Sequence, residues 1–147
     1  MSFTITFTTK WADFDPNRHM RHTAYNDYAA ETRVRYFANQ SFSIKEFTRY
    51  NLGPILFTEE TSFRKEIHLG ENISVTLQIA GLSENNERWK ITHKVFNEAG
   101  KLAAIIKVYG AWIDLTTRKL TVPPKEAQQL FDFAEKSDDF EIIPLSK

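Results

Sequence analysis

The chain has 147 residues, which sets the expectation of one domain over residues 1–147 with a single core in about 3–133. Nineteen Lys and Arg balance nineteen Asp and Glu, so no global field draws the protein onto nucleic acid or an anionic membrane surface. Zero cysteines exclude disulfides, thiolate metal sites and a cysteine nucleophile, and leave carboxylates, histidines and hydroxyls to carry any chemistry.

No apolar run approaches the roughly 20 residues needed to cross a bilayer, and the first ten residues lack a basic segment followed by an apolar one. A cytoplasmic location is therefore expected. Phe3, Ile5 and Phe7 alternate with Thr4, Thr6 and Thr8, which predicts a half-buried strand. Residues 11–22 lose every period, and Asp15-Pro16-Asn17 within them signals a turn. Over residues 23–39 the spacing of Tyr25, Tyr28, Ala29, Thr32 and Tyr36 marks one face of a long α-helix. A short helix over 43–50 follows, closed by Asn51-Leu52-Gly53-Pro54.

Four strands are then predicted, over 55–68, 73–82, 88–96 and 102–115. Turn residues separate all four, at 69–72, 85–86 and 97–100, which predicts an antiparallel meander of the last strands. Pro123-Pro124 opens a second helix running to about residue 134, and the tail after Lys136 carries no clear pattern. The chain is thus α+β: a five-stranded antiparallel sheet, one long helix and a short C-terminal helix. One helix covers only one face of such a sheet, so the sheet is expected to wrap around it and to bury its other surface in a homodimer or homotetramer.

Chemistry concentrates in the loop before the long helix, where Asp13, Asp15, His19 and His22 fall within ten positions. The helix start offers unpaired N–H groups and partial positive charge, able to hold an oxyanion. A carboxylate facing it supplies a nucleophile or a base for acyl hydrolysis. The competing reading makes Asp13 or Asp15 an N-cap or Asx-turn residue. His19 and His22 form H-x-x-H without the Glu of H-E-x-x-H and with no third ligand nearby, so no metal site is expected. His68 and His93 fall within predicted strands and read as ordinary sheet residues. Neither a nucleophile elbow nor a glycine-rich phosphate loop occurs.

The stretch Trp11-Ala12-Asp13-Phe14-Asp15-Pro16-Asn17-Arg18-His19-Met20-Arg21-His22-Thr23-Ala24-Tyr25, continuing through Tyr28 to Arg33, resembles the signature of the 4-hydroxybenzoyl-CoA thioesterase-like family of hotdog-fold acyl-CoA thioesterases. That signature runs approximately W-x-D-x-D-x-x-G-H-V-x-[HN]-x-x-Y, followed by an acid and an Arg on the central helix. Residues 109–120 and Pro123-Pro124-Lys125-Glu126 resemble the family's last strand and closing helix. The resemblance covers most of residues 3–133. It implies a hotdog fold and hydrolysis of acyl-CoA to a carboxylic acid and coenzyme A, with no cofactor. Asp15 takes the place of the family's nucleophile or general base, and the backbone N–H near His22 that of the oxyanion donor.

Asp13 is expected to shape the turn, and Arg33 and Tyr25 match structural helix positions. The chain departs from the pattern twice. Arg18 stands where the family has Gly, and Ala30 stands where the helix acid is common, with Glu31 beside it. A thiol of pKa about 8.5 leaves as thiolate without a strong general acid, so one carboxylate and one oxyanion donor suffice. His19, Tyr25, Arg64 and Lys65 are candidate substrate contacts, with Arg88 and Lys90 as further candidates for the coenzyme phosphates. Tyr25, Tyr28, Phe57 and Phe63 are candidate walls of the acyl pocket. The rival readings are a hotdog protein that binds acyl thioesters without hydrolysing them, and a hotdog dehydratase.

Overall fold

A computed structural model describes residues 2–145. Its elements are β1 (Phe3–Phe7), α1 (His22–Asn39), α2 (Ile44–Tyr50), β2 (Leu52–Phe63), β3 (Ile73–Leu82), β4 (Arg88–Phe96), β5 (Leu102–Asp114), α3 (Lys125–Gln128) and β6 (Lys136–Ile142). The strands form one sheet in the order β1-β3-β4-β5-β2, antiparallel throughout, and β6 joins it by pairing in parallel with β3. Among the described residues, no helix is long and apolar enough to cross a membrane.

Alternation in β3 decides which face is inside. Ile73, Val75, Leu77 and Ile79 are buried, while Ser74, Thr76 and Gln78 point to the other side. β4 adds Trp89, Ile91 and Val95 to the inner face, and β5 adds Ile106, Val108 and Trp112. The buried stripe of α1, Ala24, Tyr25, Tyr28, Ala29, Thr32, Arg33, Tyr36 and Phe37, lies in this curved sheet. The hydroxyl of Tyr36 donates to the Leu130 carbonyl at 2.6 Å and fastens the segment after α3 to the helix.

Several boundaries differ from the sequence reading. Asn51 ends α2 in the left-handed conformation (φ 54°), so the chain turns directly into β2 three residues earlier than expected. Pro54 is accepted inside β2 because this is an edge strand, where a missing N–H interrupts no ladder on the open side. β2 also stops at Phe63, five residues short of the predicted end, so His68 lies outside the strand. The predicted C-terminal helix shrinks to the four residues of α3, followed by one 3-10 turn, and the tail supplies a sixth strand.

The outer sheet face carries Thr4, Thr6, Ser74, Thr76, Gln78, Lys94 and Lys107, and Thr6 and Ser74 hydrogen-bond across strands at 3.1 Å. That face is polar and calls for no apolar cover. The feature left open is the free edge of β2.

Candidate active site

The loop before α1 is a tight hairpin built around Asp15. Phe14 and Met20 form a bridge, the Asp15 N–H donates to the His19 carbonyl at 2.9 Å, and the Arg18 N–H donates to the Asp15 carbonyl at 2.9 Å. Arg18 closes the turn with φ 64°, the left-handed region that favours glycine. The loop therefore needs the positive φ that the family's Gly supplies, and Arg18 adopts it. Two further bonds pin the hairpin to residues 67–69, from the Met20 N–H to the Ile67 carbonyl (2.8 Å) and from the Leu69 N–H to the Arg18 carbonyl (2.9 Å).

The two aspartates have different surroundings. Asp13 is buried and fully engaged: it accepts from the Lys10 N–H (3.0 Å), from Lys10 Nζ (2.8 Å) and from the Tyr28 hydroxyl. Burial alone would raise its pKa, yet the bonds from Lys10 and Tyr28 hold the carboxyl below its ordinary value. Burial, and then the bond to Asp13, push the Tyr28 phenol well up. Asp13 therefore shapes the turn.

Asp15 uses one oxygen only. Its Oδ1 accepts from the N–H of Asn17 (2.9 Å) and of His19 (3.3 Å), an Asx turn, while Oδ2 has no hydrogen-bond donor among the described residues. The structural reading of Asp15 thus holds for one oxygen and leaves the other available.

His22 is the first residue of α1, and Arg21 caps it without a side-chain bond. Among the described residues, the N–H groups of His22 and Thr23 have no acceptor, as the first turn of a helix leaves them. Asp15 and His22 line one open cleft of about 1010 Å³. His19, Tyr25, Arg64 and Lys65 line it as well, so all six sequence-derived site residues meet there. Arg64 and Lys65 are held in place by their N–H groups, which share the Ala103 carbonyl (2.7 and 3.0 Å). Tyr25 meets Phe63 edge to face at 5.2 Å, and burial, followed by the charges of Glu66 and Glu71, raises its pKa.

Several cleft residues escaped the sequence reading, His68, Glu66 and Lys101 among them. His68, taken for an ordinary sheet residue, packs its ring 5.1 Å from that of His19. Glu66 pairs with His19 Nε2 at 3.0 Å, and Lys101 adds a cation. The run Arg64-Lys65-Glu66, which breaks the alternation of β2, is the signal that the strand had ended.

Other candidates lie elsewhere. Arg88 bonds the Tyr109 hydroxyl (2.9 Å), Lys90 pairs with Glu141, and Phe57 packs on Tyr109 at 5.3 Å, all away from the cleft. Tyr28 is buried against Phe7, and Glu31 pairs with Arg35 (2.8 Å) on the surface. His93 is no ordinary sheet residue either. It is fully buried, with Nδ1 2.8 Å from the Thr76 carbonyl and Nε2 3.1 Å from Arg33.

Solved structures share this architecture. A hypothetical protein of Staphylococcus aureus in complex with CoA superposes with a TM-score of 0.83 at 24% identity, covering 93% of this chain and 88% of that one. A 1,4-dihydroxy-2-naphthoyl-CoA thioesterase from Synechocystis gives 0.79 at 18% identity, with 90% and 97% covered. A probable thioesterase of Escherichia coli gives 0.74 at 19%, with 88% and 96% covered. These likenesses show the fold, the α+β hotdog expected from the sequence. A comparison with curated proteins gives no match. The family model of the thioesterase-like superfamily matches residues 9–131, most of the chain and the whole of the cleft-forming loop, so the protein belongs to the thioesterase-like superfamily.

Proposed function

We propose that the protein hydrolyses acyl-CoA thioesters to a carboxylic acid and coenzyme A in the Asp15 cleft. The observation that carries this reading is the pairing, in one cleft, of a carboxylate oxygen without a donor and a helix start whose first N–H groups have no acceptor. The thioester carbonyl oxygen is received by the N–H groups at the start of α1. Asp15 Oδ2 either attacks the carbonyl carbon, giving an anhydride that water then opens, or takes a proton from the attacking water. In both cases the C–S bond breaks and coenzyme A departs as thiolate. Donors of this kind contribute about 3 kcal/mol each in the transition state.

Arg64, Lys65 and Lys101 supply the positive charge that the coenzyme phosphates require, and Tyr25 with Phe63 walls the acyl end. His19, turned toward Glu66, borders the substrate. The CoA-bound relative and the Synechocystis thioesterase support this ligand class. Arg18 in place of the family's Gly would favour a binding protein without catalysis if it altered the loop. Since Arg18 keeps the glycine-like conformation, that motive falls away. The protein acts as a homo-oligomer, assembled through the open edge of β2.

Replacing Asp15 with Asn keeps the Asx turn and removes the basic oxygen. Thiol release from a panel of acyl-CoA substrates is expected to fall at least about a hundredfold with the melting temperature unchanged. Asp13→Asn is expected to lower the melting temperature first. Near-normal turnover by folded Asp15→Asn refutes the proposal.

A further inference from the structure

Three tyrosines of α1 are buried, Tyr25, Tyr28 and Tyr36. A buried phenol normally finds a partner for its hydroxyl, and two of these do. Tyr28 donates to Asp13, and Tyr36 donates to the Leu130 carbonyl. Tyr25 is 3% exposed, yet among the described residues its hydroxyl has no hydrogen-bond partner. The hydroxyl is not among the fully occluded polar atoms either, and the cavity that Tyr25 lines is the Asp15 cleft. Of the three, it is the hydroxyl that opens on the candidate site.

Its place on the helix directs that hydroxyl to the reacting end of the cleft. Long side chains of an α-helix lean back toward the helix start and cover the turn that precedes their own Cα. Tyr25 is the fourth residue of α1, so its side chain lies over the turn that carries the N–H groups of His22 and Thr23, which have no acceptor. The ring is held edge to face against Phe63 at 5.2 Å. Burial, and then the charges of Glu66 and Glu71, two acids that line the same cleft, raise the pKa of the phenol, so it keeps its proton and serves as a donor. A fixed donor of this kind gains most when the oxygen it faces takes up negative charge.

We propose that Tyr25 is a further catalytic residue of the thioester hydrolysis, its hydroxyl donating to the carbonyl oxygen beside the N–H groups of α1, more strongly as negative charge develops there. The role rests on the hydrolase reading of the cleft. The proton stays on the phenol oxygen throughout. The ring walls the acyl end, while the hydroxyl adds a side-chain donor to the backbone donors of the helix start.

Tyr25→Phe removes the hydroxyl and keeps the ring against Phe63. Loss of one oxyanion donor costs roughly a hundredfold in kcat, and with the backbone donors still in place kcat for thiol release is expected to fall at least about tenfold. A smaller fall overturns the proposal, including a raised KM at unchanged kcat, which assigns the hydroxyl to ground-state binding. The melting temperature is expected not to drop, and a drop overturns the proposal by showing that the hydroxyl has a partner inside the fold. The second readout is the infrared stretch of an isotope-labelled thioester carbonyl, measured with the same acyl-CoA bound to Asp15→Asn, which retains the substrate and turns it over slowly. Adding Tyr25→Phe to Asp15→Asn is expected to raise the frequency of that stretch, because the carbonyl loses a donor. An unmoved stretch beside a lowered kcat overturns the proposal and leaves Tyr25 a structural role. If the unaltered protein releases no thiol from any acyl-CoA, the hydrolase reading fails and the Tyr25 role falls with it. An active parent beside an unaffected Tyr25→Phe sinks the Tyr25 role alone.

Discussion

Arg18 shows how much a single backbone angle can demand. A side chain at φ 64° costs about 1–2 kcal/mol, and the residue cannot relax easily because its carbonyl accepts from Leu69 and its N–H donates to Asp15. Arg18→Gly is expected to raise stability by up to about 1 kcal/mol, after the extra entropy that glycine loses on folding, as read from the urea midpoint. An unchanged or lower midpoint would mean that the Arg18 side chain offsets the strain. His93 governs a different quantity, the pH dependence. Burial, and then the neighbouring Arg33 charge, push its pKa down to about 3. In the unfolded chain the ring takes up its proton near pH 6.5, well before the folded protein does, so stability is lost as pH falls through the window from about 6.5 toward 3. His93→Gln is expected to flatten the loss of urea midpoint between pH 7 and 5, and an identical slope in variant and parent would remove His93 as its cause.

At the level of elements, strands with strict alternation were legible in the sequence and segments shaped by distant partners were not. β3 begins and ends where Ile73, Val75, Leu77 and Ile79 predict, because its period alone decides which side is buried. The end of β2 depends on the Ala103 carbonyl, which captures the Arg64 and Lys65 N–H groups, and its only trace within 55–68 is the charged run Arg64-Lys65-Glu66. For the same reason the site was legible as far as the loop and helix start, while Glu66 and His68 joined it only through the fold. β6 went unseen because it is polar and half-exposed, and it is positioned by β3. Its anchor lies just beyond it, where Ile143 is buried against Gly81. Ile143→Ala is expected to cost about 2 kcal/mol in thermal or urea unfolding, and an unchanged midpoint would show that the tail does not contribute to the core. Gly110, within the segment that resembles the family's last strand, has a local reason to be glycine. A Cβ there would stand 2.2 Å from the Ile55 carbonyl oxygen and 2.5 Å from the Trp89 ring, at the crossing of β2, β5 and β4.

For the whole molecule, the polar outer face shifts the argument for assembly from a face to an edge. Eleven of the twelve residues of β2 pair with β5, on one side only, Phe57 falls in a bulge, and Leu56 and Phe57 are exposed. A long open edge invites another strand, so the proposed homo-oligomer is expected to elute as a dimer or larger at micromolar concentration. Leu56→Asp is expected to shift the protein toward the monomer mass, whereas a wild-type protein that stays monomeric would reject assembly by this edge. The opposite border of the sheet is divided between two short strands, β1 against the first half of β3 and β6 against its second half. Growth by strand addition is therefore one-sided. Two copies joined edge to edge about a two-fold axis leave no long edge exposed, so the association closes instead of propagating into a fibre, and the melting temperature of the assembled protein should rise with its concentration.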